Sequence, residues 1–466
     1  MTLTARVLVF DSDPDQRLRI VGKLGDRGYD NLIARSVDEA LDLAKNNPLD
    51  IVIVSASVPD EERGRLNAAL KELWATRHLP VIVVGGEGGT QPLDDRAAAI
   101  AEFLPREFHD LELFSHLSSL VRLKTMQTEL ERRLATTAEF GVRTPRPVRP
   151  PKSVKGGRAL VVACHGPLKK RIDSALRGPL KVAHARDYAA GLAALGRAAV
   201  DLVFVGGSED GKAALDFCTA MRGQSQHFTV PLVLIADART FRDPVAPYVS
   251  GANDIVPTTL GIKDLRTRAV ALVKQKRYRE AMRTLYRQLG EDVTTDRLTG
   301  LYSHGFLHAH LARQIEDAHS WNKNLSVGYL DVDDLAAINL DYGYVAGDLL
   351  LREIGHLMAN LVRGEDLVAR VGNDEFCVIE PDTAPEVAEF ALQRIAGVIG
   401  KTKFKLPGIE GPLAVSVTVG YTAIEPGDDS DSLIARAREQ CEGNAKRAAP
   451  RPLRPLPPKA EVDDDD

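Results

Sequence analysis

The chain has 466 residues, 44% of them hydrophobic and 27% charged, with a formal net charge of −5. That length suits about three domains, each able to bury its own core, and the acidic balance argues against binding bulk nucleic acid. Four scattered cysteines (Cys164, Cys218, Cys377, Cys441) without C-x-x-C spacing suggest neither a disulfide framework nor a cysteine zinc site, and fit a reducing cytoplasm. No signal peptide and no apolar run long enough for a membrane span is legible.

Arg6–Phe10 (RVLVF) reads as a buried parallel strand that runs into the acidic turn Asp11-Ser12-Asp13-Pro14, with a helix following to about Gly25. Ser36-x-x-Glu39 has capping-box spacing ahead of an apolar helix face. The runs Asp50–Val54 and Leu79–Val84 add two strands, and their alternation with helical pattern predicts a parallel sheet covered on both faces. Arg158–Ala163, Val200–Val205 and Val230–Ile235 recur at similar offsets, so the chain holds two copies of one α/β unit. Thr144–Gly157, rich in proline and glycine, separates them as a linker.

Each copy ends in a long helical stretch. Leu113, Leu117, Leu120, Leu123, Leu130 and Leu134 mark the first, and Leu265, Ala269, Leu272, Tyr278, Met282, Leu285 and Leu289 the second. Such a stripe either packs on its own domain or forms a stalk that pairs with a second subunit.

After residue 295 the runs Leu367–Val371 and Glu375–Ile379 flank a tight turn. That hairpin predicts a third, mixed sheet. Pro450–Asp466 is proline-rich and then acidic, with little to bury, and is predicted to be disordered. The expected domains are 1–140, a linker at 141–157, 158–295, 296–450 and a tail at 451–466.

Three segments of the last domain carry a resemblance. They are Asp296-Arg-Leu-Thr-Gly-Leu301; the run from Asp331-Val-Asp333 through Asn339 and Gly343 to Gly347-Asp348; and Arg370-Val-Gly372-Asn373-Asp374-Glu375-Phe376. In this order and spacing they resemble the GGDEF, or diguanylate cyclase, family. The two upstream units resemble flavodoxin-like (CheY-like) response-regulator receivers. The α/β chain as a whole resembles PleD-type response regulators, and its departures are most similar to non-catalytic, PopA-like members of that type.

The resemblance implies a domain that joins two GTP molecules across a dimer, with Mg²⁺ held by carboxylates. Asp331 and Asp374 match the metal-binding acids, and Asn339 and Asp348 match positions that read the guanine edge. The cations facing the triphosphate do not match. Ala336, Ala445 and Ala449 replace two lysines and an arginine, Leu335 and Glu442 replace aromatics, and Ser303-His304 replace Asn-Arg. Losing three charge-assisted hydrogen bonds removes about 4–9 kcal/mol, at least roughly a thousandfold in affinity. Asn373 replaces the second turn glycine. It tolerates the positive φ expected there, yet fills space that the nucleotide would need. Asp331 and Asp374 then read either as a metal site or as inherited acids without one.

Arg363-Gly-Glu-Asp366 stands at the family's inhibitory site for cyclic di-GMP, and by resemblance Arg394 completes it. A guanidinium can fork onto guanine O6 and N7, while a carboxylate accepts from the opposite edge. Taken alone, the same pair would read as an exposed salt bridge.

The receivers lack their phosphorylation chemistry. In the first, Asp11 keeps one acid, but Ser12 follows it, Ser55 replaces the phosphoacceptor aspartate, Gly85 the hydroxyl residue and Arg106 the lysine. In the second, Ala163-Cys164 replace the acids and Gly206 the acceptor. The expected function is a cytoplasmic cyclic di-GMP effector with no catalytic residues, no required cofactor and doubtful Mg²⁺. By resemblance it forms homodimers, sits at a cell pole and presents protein adaptors or protease-delivery factors during the cell cycle. A weakly active cyclase and a nucleotide-free scaffold are the alternatives.

Overall fold

The computed structural model describes residues 5–72, 79–85, 101–104, 108–207, 211–227, 229–237, 240, 241, 243, 245–289, 293–407, 409 and 411–447. The expectations for Arg106, Ala449 and the tail at 451–466 lie outside these residues. The chain forms two compact units, residues 2–124 with 148–283, and residues 125–147 with 284–466.

The first unit holds two parallel sheets of the same topology. Strands β1 (Arg6–Phe10), β2 (Asp30–Ala34), β3 (Ile51–Ser55), β4 (Val81–Val84) and β5 (Ala101–Leu104) lie in the order β2-β1-β3-β4-β5. They are accompanied by helices α1 (Pro14–Gly25), α2 (Val37–Asn46), α3 (Asp60–Glu72) and α4 (Asp110–Glu139). In the second copy β6 (Gly157–Val162), β7 (Leu180–Ala185), β8 (Leu202–Gly206), β9 (Leu232–Ile235) and β10 (Asp254–Val256) take the equivalent order β10-β9-β8-β6-β7. Its helices are α5 (Gly166–Leu176), α6 (Tyr188–Leu195), α7 (Lys212–Arg222), α8 (Ala246–Val249) and α9 (Ile262–Gln288).

The continuous apolar runs arise because both faces of each sheet are buried. Leu8, Phe10, Val52 and Val54 enter one core of the first copy, and Val7, Val9, Ile51 and Ile53 enter the other. Ser36 caps α2 as its spacing predicts, accepting from the Glu39 amide at 3.2 Å. Asp13 is a turn acid: it caps α1 by accepting from the amides of Asp15 and Gln16.

The second unit contains the third sheet, in the order β11-β13-β14-β12-β15. These strands are β11 (Tyr302–Ser303), β12 (Leu325–Val332), β13 (Leu367–Arg370), β14 (Glu375–Pro381) and β15 (Val417–Ala423). Only β11 and β13 pair in parallel; β14 and β15 flank β12 antiparallel. Helices α10 (His304–Trp321) and α14 (Ser430–Arg447) cover one face. Helices α11 (Leu335–Tyr342), α12 (Tyr344–Leu361) and α13 (Pro385–Lys401) cover the other. The hairpin strands differ slightly from expectation: β13 stops at Arg370, and β14 runs on to Pro381.

The leucines of α4 and the apolar positions of α9 are all buried within the single chain. Leu113, Leu117 and Leu120 belong to a core of the first sheet, and Leu265, Ala269 and Leu272 to a core of the second.

The later turns of α4 carry a buried charge network that the leucine pattern does not announce. Glu129, fully buried, accepts from Arg133 at 2.8 Å and Gln314 at 2.9 Å, and its Oε1 lies 2.7 Å from His310 Nε2. Burial pushes the Glu129 carboxyl up, but His310 and Arg133 outweigh it and hold the group at about 2. The Arg133 guanidinium lies over the rings of Tyr286 and Tyr302, 4.5 and 5.6 Å from their centroids. It also donates to the carbonyls of Glu365 and Asp366, at 2.8 Å each. Removing one partner of such a network strands the others in a low dielectric. Arg133→Ala should therefore cost about 3–5 kcal/mol, read as a lower denaturation midpoint; an unchanged midpoint would show that the network is energetically idle.

Candidate functional site

The D-x-L-T-G-L segment is a turn that braces the hairpin. Asp296 accepts from the Thr299 amide and hydroxyl at 2.9 and 2.7 Å, Gly300 adopts φ +70°, and the Asp296 amide closes the turn onto the Leu301 carbonyl at 2.7 Å. Arg370 reaches Asp296 at 3.3 Å and the Asn373 carbonyl at 2.6 Å. The hairpin closes through Val371 N–H to the Glu375 carbonyl at 2.9 Å. Neither Gly372 nor Asn373 has positive φ, which corrects the expectation for Asn373. A Cβ at Gly372 would meet the Glu375 carboxyl, the end of a side chain that can swing aside. Asn373 is exposed at the tip.

Four acids converge below this hairpin. Asp331, at the end of β12, stands opposite Glu375 in the register. Burial, then the charges of Asp374, Glu375 and Asp333, push its carboxyl up to about 6. Asp333 is tied down by the hydroxyls of Ser416 and Thr418 at 2.5 and 2.7 Å. Arg438 on α14 contacts Glu375 at 3.0 Å and Glu442 at 3.2 Å. As a donor set, Asp331 and Asp374 suit a hard divalent cation, and the unbalanced charge around Asp331 fits one. Asn339 packs against Gly347, where any Cβ would meet its side-chain carbonyl; its Oδ1 is buried without a hydrogen-bond partner. Asp348 is exposed nearby on α12, and Ala336 and Ala445 are exposed and offer no cation.

The turn between α12 and β13 collects a second set of groups. Asp366 is 6% exposed, unlike a surface salt-bridge acid, and its Oδ2 accepts the Arg363 amide at 2.8 Å. The Arg363 guanidinium extends from the same turn to the Thr383 hydroxyl at 3.4 Å, and Arg394 on α13 donates to the Leu361 carbonyl at 2.9 Å. Between them lies Glu380 on β14, which sequence reasoning missed because it reads as one more residue of an apolar strand. It is 2% exposed, and its Oε2 has no hydrogen-bond partner. Burial, then the Asp366 charge, push its carboxyl up to about 8 against the pull of Arg363 and Arg394. Arg363, Asp366 and Arg394 are thus brought together with Glu380, apart from the four acids.

In the first parallel sheet, Ser55 shares a hydroxyl cluster with Ser57 at 2.8 Å, and Ser57 links on to Ser12 at 2.9 Å and buried Asp11 at 3.0 Å. Ser57 was not anticipated. Gly85 follows β4 at φ +93°. In the second sheet Ala163 has φ +52°, and Gly206 lies so close to it that a Cβ would collide with the Ala163 carbonyl. No acceptor side chain fits at Gly206 without moving that backbone.

With this geometry in view, residues 293–449 match the family model "Diguanylate cyclase, GGDEF domain". That stretch coincides with the domain built on the mixed sheet, and two parallel-sheet α/β domains precede it in the chain. The response regulator PleD of Caulobacter vibrioides is 28% identical over 441 residues, covering 94% of this chain and 96% of PleD. The diguanylate cyclase DgcP of Pseudomonas aeruginosa is 33% identical over 154 residues, 33% of this chain and 22% of DgcP. Among solved structures, the GGDEF domain of DgcB from Caulobacter crescentus in complex with c-di-GMP has 24% identity and a TM-score of 0.33, covering 34% of this chain and 92% of that one. Among the described residues, no helix is long and apolar enough to cross a membrane.

Two outcomes follow from this geometry. Gly206→Asp, which would restore an acceptor acid, should destabilise by about 1–3 kcal/mol through overpacking; a thermal midpoint at or above the wild-type value would contradict it. The folded protein keeps a proton on Glu380 that the unfolded chain releases above about pH 4.3. This residue's contribution to stability therefore falls as pH rises from about 5 to 8. In thermal melts, the midpoint of Glu380→Gln minus that of wild type should grow across that window, and a constant difference would contradict the burial argument.

Proposed function

We propose that this protein is a cyclic di-GMP receptor whose diguanylate cyclase chemistry is lost. The supporting observation is the gathering of Arg363, Asp366 and Arg394 around one braced turn. Each guanidinium is held by a single hydrogen bond, and that of Arg363 is long. Such bonds to single neutral oxygens can be exchanged for paired bonds to a ligand. Arg363 forks onto O6 and N7 of a guanine, Asp366 accepts from the opposite edge, and Arg394 completes the clamp. Glu380, neutral near pH 7, leaves two arginines facing the single charge of Asp366, a net positive site for an anionic ligand.

The loss of cyclase activity rests on charge. Ala336 and Ala445 leave the triphosphate without counter-cations, while Arg438 engages Glu375 on the acidic side. Asp331 and Asp374 would hold any Mg²⁺ that binds, which would neutralise phosphate charge there. The receiver-type domains, with Ser55 and Gly206 at the acceptor positions, serve as docking and dimerisation surfaces without phosphorylation. Following the resemblance to PopA-like proteins, the partners are adaptors or protease-delivery factors at a cell pole.

Calorimetry with cyclic di-GMP should give saturable heat for wild type and at least a tenfold weaker Kd for Arg363→Ala; equal affinities would remove the site. Incubation with GTP and Mg²⁺ should yield no product above background. Product that disappears with Asp374→Ala would restore the cyclase reading.

A further inference from the structure

A buried cluster in the unit of the two parallel sheets has no part in the function above. Glu112 and His116 lie one turn apart on α4, so both project from the same helix face. Asp254 opens β10 opposite them. One ligand atom from each of the three lies within 4.8 Å of the others, and their exposures are 8%, 5% and 1%.

An acidic cluster alone would be a salt-bridge network, and Arg268 does fork onto Asp254 at 2.9 and 3.0 Å and approach Glu112 at 3.6 Å. The histidine adds an independent indication. Its Nδ1 is bound to the carboxylate of Glu102 on β5, itself 4% exposed and held by Gln275. That leaves Nε2 buried, without a hydrogen-bond partner, and 4.0 Å from Asp254 Oδ1. A ring nitrogen fixed from behind by a carboxylate and aimed at two more acids is the arrangement of a metal-ligating histidine and its supporting shell. The charges agree in sign: three carboxyl groups, Glu102, Glu112 and Asp254, gather around one guanidinium, Arg268, an acidic excess that a divalent cation would offset.

We propose that Glu112, His116 and Asp254 form a site for a divalent transition metal, with zinc the best match. One imidazole and two carboxylates are ordinary zinc ligands, and three protein groups leave a fourth position for water. Arg268 acts as the internal cation that releases Asp254 when metal enters. Glu102 is a positioning residue that sets the His116 tautomer.

The test uses the full chain, stripped with chelator, equilibrated with Zn²⁺ and dialysed. Wild type should retain one zinc that His116→Ala lacks, and Glu102→Gln should keep that stoichiometry with a Kd weakened about 10–100-fold. No retained zinc overturns the proposal, as does equal retention in His116→Ala. Loss instead in His304→Ala or His308→Ala, the exposed pair on α10, assigns the metal to the surface and also overturns it. Should His116→Ala fail to fold, X-ray absorption on zinc-loaded wild type decides. Nitrogen and oxygen neighbours at about 2.0–2.2 Å support the site, whereas sulfur at about 2.3 Å overturns it.

Discussion

The buried contact between Arg133 and the Glu365–Asp366 backbone fixes the turn on which the proposed ligand site depends. A guanidinium inside a protein is costly unless its charge is matched and its donors are used. Here Glu129 supplies the charge, two carbonyls take donors, and two tyrosine rings lie against the cation's faces. Because both carbonyls belong to the Arg363–Asp366 turn, its backbone is pinned from within. The half-buried Arg363 side chain extends from this fixed backbone. Such pre-organisation lowers the ordering cost of binding a planar base.

The GGDEF domain therefore presents two charge environments. Around Asp331 the negative charges crowd together, and the nearest cation, Arg438, is engaged with Glu375 and Glu442. Around Glu380 the balance is reversed, since a neutral acid leaves two arginines facing one buried aspartate. A triphosphate needs cations that the first environment lacks, whereas a compact guanine dinucleotide suits the second.

Much of this was legible from short-range pattern. The β-branched runs, the recurrence of the α/β unit, the capping residue Ser36 and the hairpin all follow from local chemistry, whereas Arg363, Asp366 and Arg394 stood out only through the family resemblance. What escaped depends on contacts remote in sequence. Arg133 and Glu129 look like polar positions of an amphipathic helix until α10 packs His310 and Gln314 against them. Glu380 interrupts an apolar strand, and only its burial beside Asp366 gives it meaning. The expectation of positive φ at Asn373 failed because the turn closes through the Val371 and Gly372 amides on the Glu375 carbonyl without it. Gly206 reads as a missing aspartate in sequence; in three dimensions, Ala163 closes the space an aspartate would need.

The preference between ligands is the most direct measure of this account. Equilibrium dialysis of the wild-type chain against labelled cyclic di-GMP, and separately against GTP with Mg²⁺, gives both affinities on one preparation. The account predicts that cyclic di-GMP binds tighter than GTP. Comparable affinities, or tighter binding of GTP, would contradict it.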